Sequence, residues 1–311
     1  MKSILIMGGT TFVSRCLAKY LIDQGYDVDI LTRGLKTIDY GGYKNHLICD
    51  RKSKNELQKV LNGRQYEFIF DISAYKKEDV EILLASIDRS SLKKYIFCSS
   101  GAVYTETNDF ANESFERGDN PNWGNYGTDK KEAEDFIVTS KIPYIIFRPT
   151  YIYGENNNLY REAYFFDRIK ESKVIPMPYG NNTVTQFIHI EDLVKVFESV
   201  MFNEKICRIY NVTNSDIVSF EELILMCGKV LKIDPIIKKI DTQKIKVNTR
   251  TYFPFRDVTY LLNTERLIND DLHNPTISLE EGLRKTYKWY SSNKHNLADA
   301  KMDKINEMVQ C

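Results

Sequence analysis

Ser3-Ile4-Leu5-Ile6-Met7-Gly8-Gly9-Thr10-Thr11-Phe12-Val13-Ser14 decides how the rest of the chain is read. The apolar run after Ser3 makes a short buried strand, Gly8 and Gly9 make a tight turn, and the residues that follow predict a helix to about Gln24. A strand, a glycine turn and a helix in this order aim the unpaired amides of the helix N-terminus at a phosphate, as a dinucleotide-binding site requires. The glycine fingerprint is incomplete, because counting from Gly8 puts Thr11 and Ser14 at its second and third positions. Ser14 is small enough for close helix and strand packing. Thr11 would crowd a pyrophosphate unless its hydroxyl joins the binding. Gly8, Thr10, Thr11, Phe12 and Val13 are the candidate cofactor contacts of this turn.

Outward from the turn, Tyr26 to Leu31 is a second strand that ends at Thr32-Arg33-Gly34. An acidic residue there would hold the adenosine ribose of NAD. Thr32 takes its place and Arg33 follows, and a guanidinium binds a 2'-phosphate in two-pronged fashion, so NADP is preferred over NAD. An exposed loop arginine is the alternative. Cys49-Asp50-Arg51 closes a third strand, and Tyr66 to Asp71 is a fourth, leading through Ile72-Ser73-Ala74-Tyr75 into a helix from about Lys77 to Ile87. Lys94 to Cys98 and Pro143 to Pro149 are further buried strands. Strands alternating with helices at this spacing imply an α/β protein, a doubly wound parallel sheet of Rossmann type. Residues 1–154 are expected to form the dinucleotide-binding domain, with return segments near 186–215. Residues 155–311 are expected to form mainly a smaller, discontinuous substrate domain with C-terminal helices. Leu297, Met302, Ile305 and Val309 suggest an amphipathic tail helix that packs on its own chain, a partner helix being the other reading.

Chemistry enters with Tyr126-Gly127-Thr128-Asp129-Lys130. In a helix from Asn125 to Ile137, Tyr126 and Lys130 share one face. An ammonium beside a phenol favours the phenolate and draws its pKa down from about 10. Ser100, upstream, would orient the oxygen whose proton moves. The same Tyr-x-x-x-Lys spacing recurs at Tyr40/Lys44 and Tyr290/Lys294, so spacing alone is weak. The Tyr126 copy stands apart because it opens a helix after the buried strand that ends in Ser99-Ser100.

That arrangement resembles the extended short-chain dehydrogenase/reductases, the NAD-dependent epimerase/dehydratase family, which includes sugar-nucleotide epimerases, dehydratases and ketoreductases. The resemblance runs to about Tyr290 and implies a Ser100, Tyr126 and Lys130 catalytic set. Lys130 would also hold the nicotinamide ribose, Asp50 would lie near the adenine, and Ser73, Ala74, Pro149 and Thr150 would line the cofactor. Arg148 to Gly154 resembles the family's Arg-Pro-x-x-x-Tyr-Gly segment, and Gln186 to Asp192 its Phe-Ile-His-Val-x-Asp segment, in which His189 is expected to be a structural hydrogen-bonding residue. Ser100, Tyr126, Tyr151, Gln186 and Arg256 are the implied substrate contacts. Gly101-Ala102 stand where 4,6-dehydratases carry Asp-Glu, which disfavours dehydration. Thr183 to Gln186 lacks the arginine that grips a diphosphate, a task left to Arg256. The substrate implied is a nucleotide sugar, and the reaction an epimerisation or a ketone reduction. Gly-Gly-Thr-x-Phe and Asp-Ile-Ser-Ala-Tyr look like an atypical branch that includes the chloroplast stem-loop binding proteins, so a non-catalytic RNA- or partner-binding role is the second reading. Family members dimerise through the Tyr126 helix, where Glu132, Ala133, Phe136 and Ile137 would contribute to a homodimer.

Composition bounds the partners. With 43 basic and 43 acidic residues the net charge is zero, so nothing advertises a nucleic-acid partner. Six cysteines and four histidines are scattered without a Cys-x-x-Cys pair, so no metal site is expected. Cys98, next to the proposed site, reads as core packing. The run before Gly8 is short for a signal peptide and no later stretch reads as a membrane span, so a cytoplasmic location is expected.

Overall fold

The computed structural model describes residues 2–293 and 297–310. The first half alternates strand and helix: β1 (Ser3–Met7), α1 (Phe12–Asp23), β2 (Asp27–Thr32), β3 (Asn45–Ile48), α2 (Lys54–Leu61), β4 (Phe68–Asp71), α3 (Lys77–Leu84), β5 (Lys94–Cys98), α4 (Asn125–Thr139) and β6 (Tyr144–Pro149). Beyond it run β7 (Tyr151–Tyr153), α5 (Glu162–Lys170), β8 (Ile175–Tyr179), β9 (Val184–Thr185), β10 (Phe187–His189), α6 (Ile190–Ser199), β11 (Arg208–Val212), β12 (Val218–Ser219), α7 (Phe220–Leu231), β13 (Ile237–Asp241), α8 (Glu265–Asn269), α9 (Leu279–Ser292) and α10 (Ile305–Gln310).

Seven strands form one parallel sheet in the order β3-β2-β1-β4-β5-β6-β11. Its strands read as apolar throughout because both faces are covered. Ile4, Ile6, Phe68, Phe70, Ile96 and Phe147 pack with Leu17 and Leu21 of α1 and Leu193 and Phe197 of α6. Their neighbours Leu5, Met7, Ile69, Tyr95, Phe97 and Ile146 pack on the opposite side with α2, α3 and α4. The strand order reverses between β1 and β4, and such a reversal opens a crevice above the strands' C-terminal ends. Ser73, Ser100, Tyr126 and Lys130 line that crevice.

A second core joins α5, α7 and α9 around an aromatic cluster in which Phe165, Phe187, Phe220 and Phe253 surround Phe255. Two-stranded parallel pairs, β7 with β10 and β8 with β13, contribute Tyr151, Tyr153, Phe187, Ile175, Met177 and Ile240 to this core. The strand expected near Ile209 does return to the main sheet, as β11 on the edge of β6.

Two expectations are corrected, and one helix is added. Ala133 and Ile137 are fully buried in the chain's own core, packed under α3 and α4, so they cannot form a dimer face. The tail is helical only over Ile305–Gln310. Its earlier residues follow an irregular path fixed by the Lys304 N–H to Thr251 carbonyl bond and by burial of Met302, so the tail does pack on its own chain. The added helix is α2, which Ser53 caps by accepting from the Glu56 amide, a Ser-x-x-Glu signal visible in the sequence. Cys311 and the Lys294 half of the Tyr290/Lys294 pattern lie outside the described residues. Among the described residues no helix is long and apolar enough to cross a membrane, and no group of His, Cys, Asp or Glu could hold a metal.

Candidate active site

Ser100 follows β5 and caps a single 3-10 turn, Gly101–Val103, its Oγ accepting from the Ala102 amide at 3.2 Å. Helix α4 lies directly on this turn. A side chain at Gly127 would put Cβ 2.3 Å from the Ala102 carbonyl oxygen, so only glycine permits the approach. That contact brings Tyr126, at the first turn of α4, within hydrogen-bonding reach of Ser100. Tyr260 reaches the same hydroxyl from the opposite wall and donates to the Pro149 carbonyl at 3.1 Å.

Lys130 is buried one turn further on and donates to the carbonyls of Ala74 (2.7 Å) and Cys98 (2.6 Å). Its ammonium lies 4.7 Å from the Phe97 ring centroid and 5.2 Å from that of Tyr75. The expected depression of the tyrosine pKa by this lysine is not what the structure gives. Burial dominates and raises the Tyr126 phenol above its usual value, opposed by Ser100 and by the charge of Arg161. Burial likewise lowers the pKa of Lys130. The Tyr126 residue as a whole is 38% exposed and lines the crevice. At neutral pH the phenol carries its proton.

The crevice has two halves. The outer one, a cavity of about 650 Å³, is lined by Gly8, Thr10, Thr11, Thr32, Arg33, Asp50 and Ser73 among others. Gly8 has φ +122°, and a Cβ there would come 2.7 Å from that of Ser14. Ser14 does more than save space: its Oγ accepts from the Gly9 amide and donates to the Thr11 carbonyl, both at 3.0 Å, pinning the turn. Helix α1 has no acidic residue in its first turn. The Thr32 hydroxyl is engaged by His46 (2.7 Å) and the Gly34 amide (3.1 Å), whereas Arg33 forms no hydrogen bond or ion pair among the described residues. The neighbouring arginine is committed: Arg51 grips the fully buried Asp71 through two bonds of 2.7 and 2.8 Å and donates to Ser73 Oγ at 2.8 Å.

The inner half, about 670 Å³, contains Thr11, Phe12, Val13, Ser73, Ser100, Tyr126, Lys130, Pro149, Thr150, Tyr151 and Arg256. Thr11, Ser14, Ser73 and Tyr75 line both halves, which therefore form one groove. Ala74 contributes only its carbonyl, to Lys130. Gln186 is a correction. Its side chain is buried behind the wall, donating to the Asn214 carbonyl and accepting from the Leu262 amide, and it reaches neither half. His189 is buried away from the groove, where it faces Glu155 at 3.1 Å and caps α6.

Several lining residues escaped sequence reasoning. Trp123 packs against Tyr260 (4.9 Å between ring centroids) and carries the Arg256 guanidinium 4.5 Å from its ring centroid, while Arg256 also donates to the Asn122 carbonyl. Arg161 lies 5.1 Å from the Tyr151 ring centroid, and Lys301 arrives from the C-terminal tail. Burial lowers the pKa of both arginines. Tyr75 closes on Tyr126 at 5.9 Å between ring centroids. The Tyr-rich composition hid these residues, since no spacing rule links Trp123, Arg161 and Lys301.

A doubly wound parallel sheet with a glycine turn under its crevice defines a Rossmann-type fold, with Ser100, Tyr126 and Lys130 gathered in the crevice. Residues 4–213 match the NAD dependent epimerase/dehydratase family, and the chain belongs to that family. The chain is 30% identical over 301 residues to the chloroplast stem-loop binding protein of 41 kDa b of Arabidopsis thaliana, covering 92% of this chain and 78% of that one. It is 23% identical to the dTDP-D-glucose 4,6-dehydratase of Dictyostelium discoideum, over 97% of this chain and 84% of the relative. Among solved structures, UDP-glucose 4-epimerase of Thermotoga maritima superposes with a TM-score of 0.76 at 17% identity, covering 93% of this chain and 99% of that one.

Proposed function

We propose that the protein oxidises and reduces a hydroxyl-bearing carbon of a nucleotide sugar, as an NAD(P)-dependent epimerase or ketoreductase, with Ser100, Tyr126 and Lys130 as its working groups. The observation that carries this reading is that the Ser100 and Tyr126 hydroxyls meet inside the groove that the Gly8 turn floors, a groove also lined by Arg161 and Arg256, which form no salt bridge among the described residues. The names of the epimerase and dehydratase relatives agree with it.

A dinucleotide fits the residues present. The Gly8 cradle would be filled by any Cβ, α1 presents amides without a competing acid, and the two continuous cavities have the dimensions of ligand sites. Bound there, the nicotinamide group supplies acceptance and return of a hydride at the sugar carbon. The Gly8 to Val13 turn would hold its phosphates, Asp50 and Arg33 its adenosine end, and Pro149, Thr150 and Lys130 its reactive end. Arg33, lacking a protein partner, favours a ribose bearing a 2'-phosphate.

Ser100 orients the substrate oxygen. Tyr126 in its protonated form donates to a carbonyl oxygen as it becomes a hydroxyl, and the phenolate takes the proton back in the opposite direction. Arg256 holds phosphate from the substrate side. Dehydration would need an acid and base pair beside Ser100, and among the described residues no Asp or Glu lines the inner cavity. A side chain at Gly101 would come 2.6 Å from the Tyr260 hydroxyl, so an acidic residue is not accommodated there.

The relative with a stem-loop binding name favours RNA binding as a second reading. One experiment separates the two. One portion of purified protein is denatured and the released or previously added dinucleotide identified by absorbance and mass, while a native portion is assayed for conversion of UDP-glucose. Stoichiometric NAD(H) or NADP(H) with turnover that Tyr126→Phe abolishes supports the enzyme. Failure to bind either dinucleotide, with salt-sensitive retention of a stem-loop RNA, would put the second reading first.

A further inference from the structure

We infer that Tyr40 is a positioning residue for dinucleotide binding: by holding the Gly9 carbonyl it aims the Thr10 amide at the diphosphate. The inference rests on the dinucleotide reading and adds a residue to it.

The phosphate turn has a backbone that does not hold itself. Gly8 and Gly9 have φ of +122° and +128°, and Phe12, which carries a side chain, has φ +30°. Backbone in such regions persists only where its surroundings over-determine it. Two side chains do so here. Ser14 Oγ accepts from the Gly9 amide and donates to the Thr11 carbonyl, both at 3.0 Å. The Tyr40 hydroxyl donates to the Gly9 carbonyl at 2.6 Å, so both polar groups of Gly9 are taken.

The Gly9 carbonyl and the Thr10 N–H belong to one rigid trans peptide, in which the two groups point in opposite directions. Fixing the carbonyl on Tyr40 therefore fixes the N–H on the other side. That N–H forms no hydrogen bond among the described residues, and Thr10 lines the outer cavity. Gly9 itself is buried between the Tyr40 hydroxyl and Ile30 and belongs to neither cavity lining, so Tyr40 acts on the turn from behind without reaching the ligand.

Tyr40 is itself clasped. It lies in the irregular segment between β2 and β3, beside Asp39, whose carboxylate accepts from Arg15 Nε (3.0 Å) and Nη2 (2.8 Å). The same guanidinium stands 5.7 Å from the Tyr40 ring centroid, so α1 and this segment are joined next to the turn that both border. Burial raises the pKa of the phenol, which keeps it a donor. The Tyr40/Lys44 spacing has no part in this, because Lys44 pairs with Asp27 at 3.2 Å.

The test uses the full chain with NADPH, NADH, ADP and adenosine as probes. The coenzymes are titrated by fluorescence, and the two fragments by displacement of whichever coenzyme wild type binds. Tyr40→Phe removes the hydroxyl and leaves the ring beside Arg15. It should weaken the coenzyme and ADP by about tenfold and leave adenosine within about twofold, with the melting temperature within about 2 °C of wild type. Unchanged ADP affinity would overturn the inference. So would loss of ADP and adenosine by the same factor, which would make Tyr40 a general support of the fold. Should Tyr40→Phe not fold, Asp39→Asn, at a side chain 65% exposed, decides by the same comparison of ADP with adenosine. If wild type binds neither coenzyme, the dinucleotide reading itself fails and takes the inference with it.

Discussion

Glu134→Gln removes one charge from the interior and almost nothing else. The Glu134 carboxylate is fully buried on α4, one turn beyond Lys130, and accepts from Arg148 Nε (3.0 Å), Arg148 Nη2 (2.6 Å) and Arg117 Nη1 (2.9 Å). Arg148 is also fully buried, on β6, and donates further to the Tyr104 hydroxyl at 2.8 Å. The pair therefore ties the helix that carries Tyr126 and Lys130 to the strand that delivers Pro149 and Thr150. Glutamine keeps one acceptor but turns an NH2 towards the guanidinium and leaves Arg148 charged without a counterion. Breaking a buried pair from one side costs about 3–5 kcal/mol. At roughly 2 °C per kcal/mol for a chain of this size, the melting temperature should fall by about 6–10 °C. Thermal unfolding followed by circular dichroism, with and without dinucleotide, reads the loss. Arg117, whose side chain is 26% exposed, serves as control: Arg117→Ala should cost about 1 kcal/mol or less. Replacing both partners, Glu134→Leu with Arg148→Met, should recover most of the loss, since no charge is then stranded. A melting point for Glu134→Gln within about 2 °C of wild type would refute the claim that the pair is desolvated.

Tyr126→Phe should lower turnover by about 10²- to 10⁴-fold while dinucleotide binding stays within a few fold. Because burial raises the Tyr126 pKa, the proton-donor form persists through neutral pH, so ketone reduction should hold level there and fall only at alkaline pH. A wild-type profile that falls between pH 6 and 8 would contradict that assignment, those limits being roughly chosen around neutrality. Arg33→Ala should weaken NADP by about tenfold and leave NAD nearly unchanged, and equal effects in a titration would make the arginine a bystander. Glu191 responds to acid. Burial alone would raise its pKa, but hydrogen bonds from Lys285 and Lys195 bring it down from 4.5 to about 2. Its stabilising contribution is complete above its ordinary value of 4.5 and is lost as pH falls towards about 2. Glu191→Gln should therefore lose less melting temperature than wild type across that window, and an identical acid dependence would count against the assignment.

The sheet was legible because its strands are short, apolar and bounded by turn residues, and because buried parallel strands carry that pattern on both faces. Ser100 and Tyr126 could be placed together from element order alone, since β5 and α4 fix where each must end. What composition could not show was direction. Gln186 sits where a substrate contact was expected, but its amide is needed by two backbone groups around Asn214 and Leu262, a pairing fixed only in three dimensions. Ala133 and Ile137 were expected at a dimer interface, and the packing of α3 on α4 places them in the core instead. Arg161 and Lys301 reach the inner cavity from segments about 140 residues apart in sequence, which no local pattern joins.

The placement of β11 has a practical consequence for anyone dividing the protein. This strand is the outermost of the main sheet, yet it follows α5, β8 and α6 in sequence, and it pairs with β6 along Arg208 to Val212. Excising residues 1–154 as a cofactor-binding module would strip that strand away and leave β6 with a row of unpaired backbone groups. Phe147 would lose its neighbour Tyr210, whose ring lies 5.9 Å away. An exposed apolar edge of this kind recruits other chains, so such a fragment should precipitate. A minimal cofactor-binding fragment must instead run past Val212, with the intervening segment kept or replaced by a linker long enough to bring the last strand home.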